Sequence, residues 1–199
     1  MDLARRLGQI LGVMMARPLN AIEVGVFGDA SKLDSHPINS AAMVGLLKGH
    51  HSVPVNQINA LHLARRQGIT LTEAHSSDSK DYISLLRVSA GSDDEVLSLA
   101  GTLFDDRYPR LVRIDDCEVE CPLEGNLLFT RHADQPGVIG TLGDILGQRG
   151  INISRMQVGE SPESDLAIAV LTVSHALSKE AMDEIGDIPA VTQALQITF

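Results

Sequence analysis

The 199-residue chain is predicted to be an α+β protein in two parts: an α/β domain with a mainly antiparallel sheet, then a smaller module of alternating strands and helices. Three observations lead there. Apolar residues recur at helical spacing early in the chain, then at the two-residue spacing of strands from residue 69 onward. The pattern resets after Pro122-Leu123-Glu124-Gly125. The composition, 44% hydrophobic and 21% charged, is that of an ordinary globular protein.

The opening MDLARRLGQILGVMMA places Leu3, Leu7, Ile10, Leu11 and Met14 on one helical face. Asp2 is the expected N-cap, and the helix is expected to end near Arg17-Pro18, because proline bars its predecessor from the α region. The arginines and apolar run imitate a signal peptide, but Asp2 and Gln9 break that pattern. AIEVGVF (21–27) alternates Ile22, Val24 and Val26 with Glu23, Gly25 and Phe27, a half-buried strand ending at Gly28-Asp29. Residues 29–37 read as a loop. Ala42, Met43, Leu46 and Leu47 share a face of a helix over 39–48. Pro54 is expected to start the next helix, through Val55, Ile58, Leu61, His62 and Arg65, with Gly68 as its stop. Strands are expected at 69–75, 82–91, 96–104, 111–114 and 117–121.

The expected domains are 1–122 and 125–199. In the second, NLLFTRH (126–132) is a strand, and Val138, Ile139, Leu142, Ile145 and Leu146 form a helical stripe ended by Gly147 or Gly150. Strands at 151–158 and 166–173 follow. Ser178 caps a helix, with Leu177 and Met182 placed for a hydrophobic staple, and Pro189 stops it before a last strand at 191–199. This βαββαβ order is the ferredoxin-like arrangement.

The net charge is −10, divided equally between the two parts, which argues against nucleic acid or an anionic membrane as partner. With 3% aromatics and no Trp, stacking platforms for bases are not expected. Two cysteines make neither a disulfide framework nor a four-cysteine zinc site, so no metal is expected and a reducing, cytoplasmic setting fits. No apolar stretch reaches the roughly 18 residues of a membrane span. Cys117 and Cys121, spaced C-x₃-C, fall on one face of a strand. His50-His51 sits at a helix end, where a cation complements the dipole.

The chemistry-bearing stretch is His132-Ala133-Asp134-Gln135-Pro136-Gly137-Val138-Ile139-Gly140, with Gly150-Ile151-Asn152-Ile153 after it. The first runs from a strand end into a helix N-terminus, whose unpaired N–H groups suit a carboxylate. Pro136 has no N–H there, and Gly137 lets the backbone approach a ligand. Asp134 can accept from an ammonium group, while His132 and Asn152 can donate or accept. Together they suit a small free amino acid. The alternative is that Asp134 merely caps the helix and Asn152 fixes a turn.

RHADQPGVIGTLGDILGQRGINISRMQVGE closely resembles the ACT domain at the C-terminus of D-3-phosphoglycerate dehydrogenase, with D-x-P-G-V-I-G, G-x-x-L-G, G-I-N-I and M-Q-V-G in order. IEVGVFGD (22–29), SAAMVGLLKG (40–49) and VNQINALHLARRQGI (55–69) resemble the same family's intervening, or allosteric substrate-binding, domain. The resemblance implies a regulatory module. Two ACT domains would pair side by side into one eight-stranded sheet and bind L-serine, or a similar small amino acid, between them. The ligand contacts would be His132, Asp134 and Asn152, with backbone from Gly137, Val138 and Ile139. It also implies an anion site at Arg107, Arg110 and Arg113, although Pro122 stands where an arginine is expected.

The family's nucleotide-binding and substrate domains have no counterpart in these residues. No G-x-G-x-x-G opens a helix, and no catalytic residue is assigned. No cofactor is expected in this chain, and NAD only if it is joined to a catalytic domain; a separate catalytic subunit is the alternative partner. Two alternatives remain at this point. One is the β subunit of an iron–sulfur L-serine dehydratase, whose S-S-S-H-T motif is absent here. The other is a structural dimerisation module.

Overall fold

A computed structural model describes residues 1–15, 19–48, 54–92 and 95–199. The expectations at Arg17-Pro18 and His50-His51 lie outside the described residues. The chain divides into two compact units, Met1–Asp115 and Asp116–Phe199.

The first unit begins with helix α1 (Asp2–Met14), whose buried face is Leu3, Leu7, Ile10, Leu11 and Met14, as the periodicity predicts. Met1, not Asp2, is the N-cap. Asp2 lies inside the first turn, where its carboxylate accepts from Arg5 and Arg6, each at 2.7 Å. Strand β1 (Ala21–Gly28) leads into a 3₁₀ turn (Asp29–Lys32) and helix α2 (Ser35–Leu46). The expected loop over 29–37 is therefore largely helical. Asp34 caps α2 by accepting the His36 N–H, and Pro37 falls in the first turn, where a missing N–H costs no hydrogen bond. Helix α3 (Ala60–Arg66) starts six residues after Pro54. Asn56 and Asn59 close the intervening turn on each other's backbone N–H groups, which leaves Ile58 exposed. Gly68 ends α3 with φ +79°.

The strands are β2 (Thr70–Ser76), β3 (Ser84–Ser92), β4 (Glu95–Phe104) and β5 (Tyr108–Ile114). They run in the order β2-β1-β3-β4-β5. Only the β1–β2 pair is parallel among these, as a strand pair joined through helices requires. Helix α1 packs on α2 so closely that a Cβ on Gly8 would collide with the Ala42 carbonyl, and one on Gly45 with that of Arg5. The α1–α2 layer rests on a buried sheet face that includes Val24, Val88 and Leu99.

The second unit opens with β6 (Cys117–Pro122), which packs on β8 and β9; the division thus falls ahead of the expected one at 122–125. Cys117 and Cys121 are buried on one face of β6. Then come β7 (Asn126–Ala133), α4 (Val138–Gln148), β8 (Ile153–Glu160), β9 (Leu166–Val173), α5 (Lys179–Gly186) and β10 (Val191–Thr198). The sheet order is β10-β7-β9-β8, all antiparallel, which is the ferredoxin-like arrangement read from the sequence. Ser178 caps α5 by accepting the Ala181 N–H, and Leu177 and Met182 join the core under the helices. Among the described residues no helix is long and apolar enough to cross a membrane.

Candidate functional site at the start of α4

β7 delivers His132 and Ala133 to the end of the sheet, and residues 134–137 turn the chain into α4. The Asp134 N–H donates to the Asp165 carbonyl at 2.9 Å, which ties the loop to the start of β9. This leaves the exposed Asp134 carboxylate at the mouth of the turn. Gly137 is the N-cap of α4 with φ +97°, a left-handed conformation that disfavours any Cβ, and no neighbour lies within 4 Å of where one would be. No side chain caps α4, so its opening amides, beginning with Val138 and Ile139, have no side-chain acceptor. The Gly137 carbonyl is taken by Thr141 through both N–H and hydroxyl. Amides without a side-chain acceptor, positive helix-end potential and one carboxylate alongside are opposite in sign to the two ends of a zwitterion.

His132 is 2% exposed. Its Nδ1 lies 3.0 Å from the Ala133 carbonyl, and its Nε2 is buried without a hydrogen-bond partner. A buried, unpaired nitrogen is uncommon and marks unused bonding capacity beside the loop.

Asn152 is not brought to this place. β7 and β8 both run antiparallel to β9, so they are parallel to each other. Ala133 faces Leu166 at the start of β9, whereas Ile153 faces Val173 at its end. Asn152 therefore sits a full strand length from Asp134, roughly 25 Å at 3.3 Å per residue. There its backbone exchanges hydrogen bonds with Ser174. Within one copy, His132, Asp134 and the start of α4 come together and Asn152 does not.

Met156 and Val158, which the site reading passed over, are apolar yet each 40% exposed on β8, a sheet-edge strand. Their alternation with Arg155 and Gln157 was the available signal.

Arg107 lies in the β4–β5 turn with its guanidinium 4.8 Å from the Tyr108 ring centre, and Arg110 is 4.9 Å from that of Phe104. A register shift pairs Ala100 with Arg113 but Gly101 with Leu111. The extra residue puts Arg110 and Arg113 on one face, where simple alternation would separate them. On β2, Glu73 accepts from Ser35 at 2.7 Å and Asn39 at 2.6 Å, with His75 Nε2 3.4 Å away. The Ser35 hydroxyl, then His75, hold the Glu73 carboxyl below the usual carboxylate range. Among the described residues, no three or more His, Cys, Asp or Glu side chains gather as a metal site.

The family model of the D-3-phosphoglycerate dehydrogenase intervening domain matches residues 1–115. The chain belongs to this family. An ACT-domain model matches residues 126–190. The family's enzymes are also its relatives in the curated comparison. D-3-phosphoglycerate dehydrogenase of Methanocaldococcus jannaschii is 30% identical over all of this chain and 38% of its own length. That of Bacillus subtilis is 29% identical over 96% of the chain and 36% of its length, and that of Synechocystis 30% over 99% and 36%. The chain thus spans less than two fifths of these relatives, and corresponds to their regulatory ACT and intervening region.

Proposed function

We propose that this chain is the serine-sensing part of a D-3-phosphoglycerate dehydrogenase, with L-serine held where two copies of the ACT unit meet. The ammonium group lies against Asp134, the carboxylate against the first amides of α4, and the hydroxyl toward His132 and the partner's Asn152. The observation that carries this reading is the strand register. Asp134 and Asn152 stand at opposite ends of one sheet, so a site containing both needs a second copy.

Two-fold pairing of β8 edges supplies that geometry. If β8 runs antiparallel to the partner's β8, each Asn152 comes to the Glu160 end of the other copy. This is the end at which Asp134 sits, so the separation along the strands disappears. The same pairing covers Met156 and Val158 and satisfies the open edge of β8. Serine bridging two copies would favour the joined arrangement over others, which is how binding becomes regulation in a longer enzyme.

Calorimetric titration with L-serine is the direct test. Heat saturating at about one serine per chain is expected. A confirmed dimer giving no heat at millimolar serine would rule the reading out.

A further inference from the structure

The first unit carries an open apolar groove. At the end where α1, the 3₁₀ turn and the tips of β3 and β4 meet lies a groove of about 690 Å³. Its floor includes the buried side chains of Val26, Ile38 and Leu86. Its apolar walls are uncovered: Ile83 is 83% exposed and Leu33 60%. Carboxylates stand round it at Asp29, Asp81, Asp105 and Asp106. Lys32 pairs with Asp29 at 2.6 Å. The other three are exposed, and among the described residues none has a cationic partner.

We propose that this groove docks a basic, apolar peptide segment of a partner protein, its leucine-sized side chains on the floor and its lysines or arginines on the aspartate rim. Apolar side chains this exposed beside a concave floor are the usual mark of a covered surface. The rim selects among the occupants. Three aspartates without counter-ions repel an acidic segment, and they equally repel the same groove on a second copy. Only a cationic partner gains from the rim and the floor together. This inference is independent of serine binding, because every residue in it belongs to the first unit.

The test is fluorescence anisotropy of the full chain with a labelled probe peptide of leucines and lysines, against the same peptide with glutamate for lysine. Saturable binding of the lysine peptide is expected, weakened by added salt. It should fall at least tenfold in two variants whose thermal melts match the parent. One is Asp105→Asn with Asp106→Asn, both at left-handed positions that asparagine tolerates (φ +50° and +58°). The other is Ile83→Ser at the exposed wall. No binding of the lysine peptide, equal binding of the glutamate peptide, or undiminished binding in both variants would overturn the proposal. So would self-association by light scattering that Ile83→Ser abolishes, because a second copy would then fill the groove.

Discussion

In the proposed serine site, Asp134 is the residue on which charge matching depends. It is the carboxylate at the turn into α4, and its backbone is fixed by Asp165, so the side chain can be changed without releasing the loop. Asp134→Ala is expected to weaken serine binding by roughly tenfold or more, the usual loss for a charge-assisted hydrogen bond, with an unchanged melting temperature. Isothermal titration beside a thermal melt checks both. Glu73 offers a residue-scale prediction in the other unit. Its carboxyl is held low by Ser35 first and His75 next, so its folded pKa lies below its unfolded value. The stability it contributes is therefore fully present above the unfolded value of 4.5 and is lost as pH falls through the lower folded value. Ser35→Ala should move the Glu73 titration, followed by carboxyl carbon NMR, up toward 4.5, with less acid stability. A titration unmoved by the substitution would remove the hydroxyl as the cause.

At the scale of elements, α1 and α2 depend on glycines that periodicity ignores. Gly45→Ala would press a methyl group into the Arg5 carbonyl, and overpacking of this kind costs about 1–3 kcal/mol. A lowered melting temperature with native-like circular dichroism is expected; an unchanged melt would mean that the helices separate at little cost. The Gly8-x-x-x-Gly12 spacing was visible in the sequence, but apolar patterning reads only side chains that are present. The βαββαβ unit was legible for the opposite reason. β9 and β10 are rich in β-branched residues, and the elements are bounded by Gly125, Gly150 and Pro189, so local preference and burial agree. The loop expected at 29–37 failed because its polar residues are helix-starting residues, with Asp34 as cap and Pro37 in the first turn. The helix expected from Pro54 failed because Asn56 and Asn59 form a local turn that outcompetes it. The turn at 134–137 could be read as a ligand loop, since its residue types are local. Residue type and resemblance both group Asn152 with it, but its distance from Asp134 is a property of register, which one chain's pattern does not display.

For the whole molecule, the proposed site makes the ligand a cross-link between copies. A site assembled from Asp134 of one copy and Asn152 of another has a consequence that no single-chain site shares: variants lacking one half each should complement. Asp134→Ala and Asn152→Ala proteins, each titrated alone, should give little serine heat. Unfolded, mixed in equal amounts and refolded together, they form mixed dimers in which one of the two sites has lost both residues and the other has kept both. With random pairing, about a quarter of the sites should then bind serine with parental affinity. Recovery of that fraction in the calorimeter is the predicted result. A mixture that binds no better than its two components, while parental protein treated in the same way binds fully, would contradict a shared site.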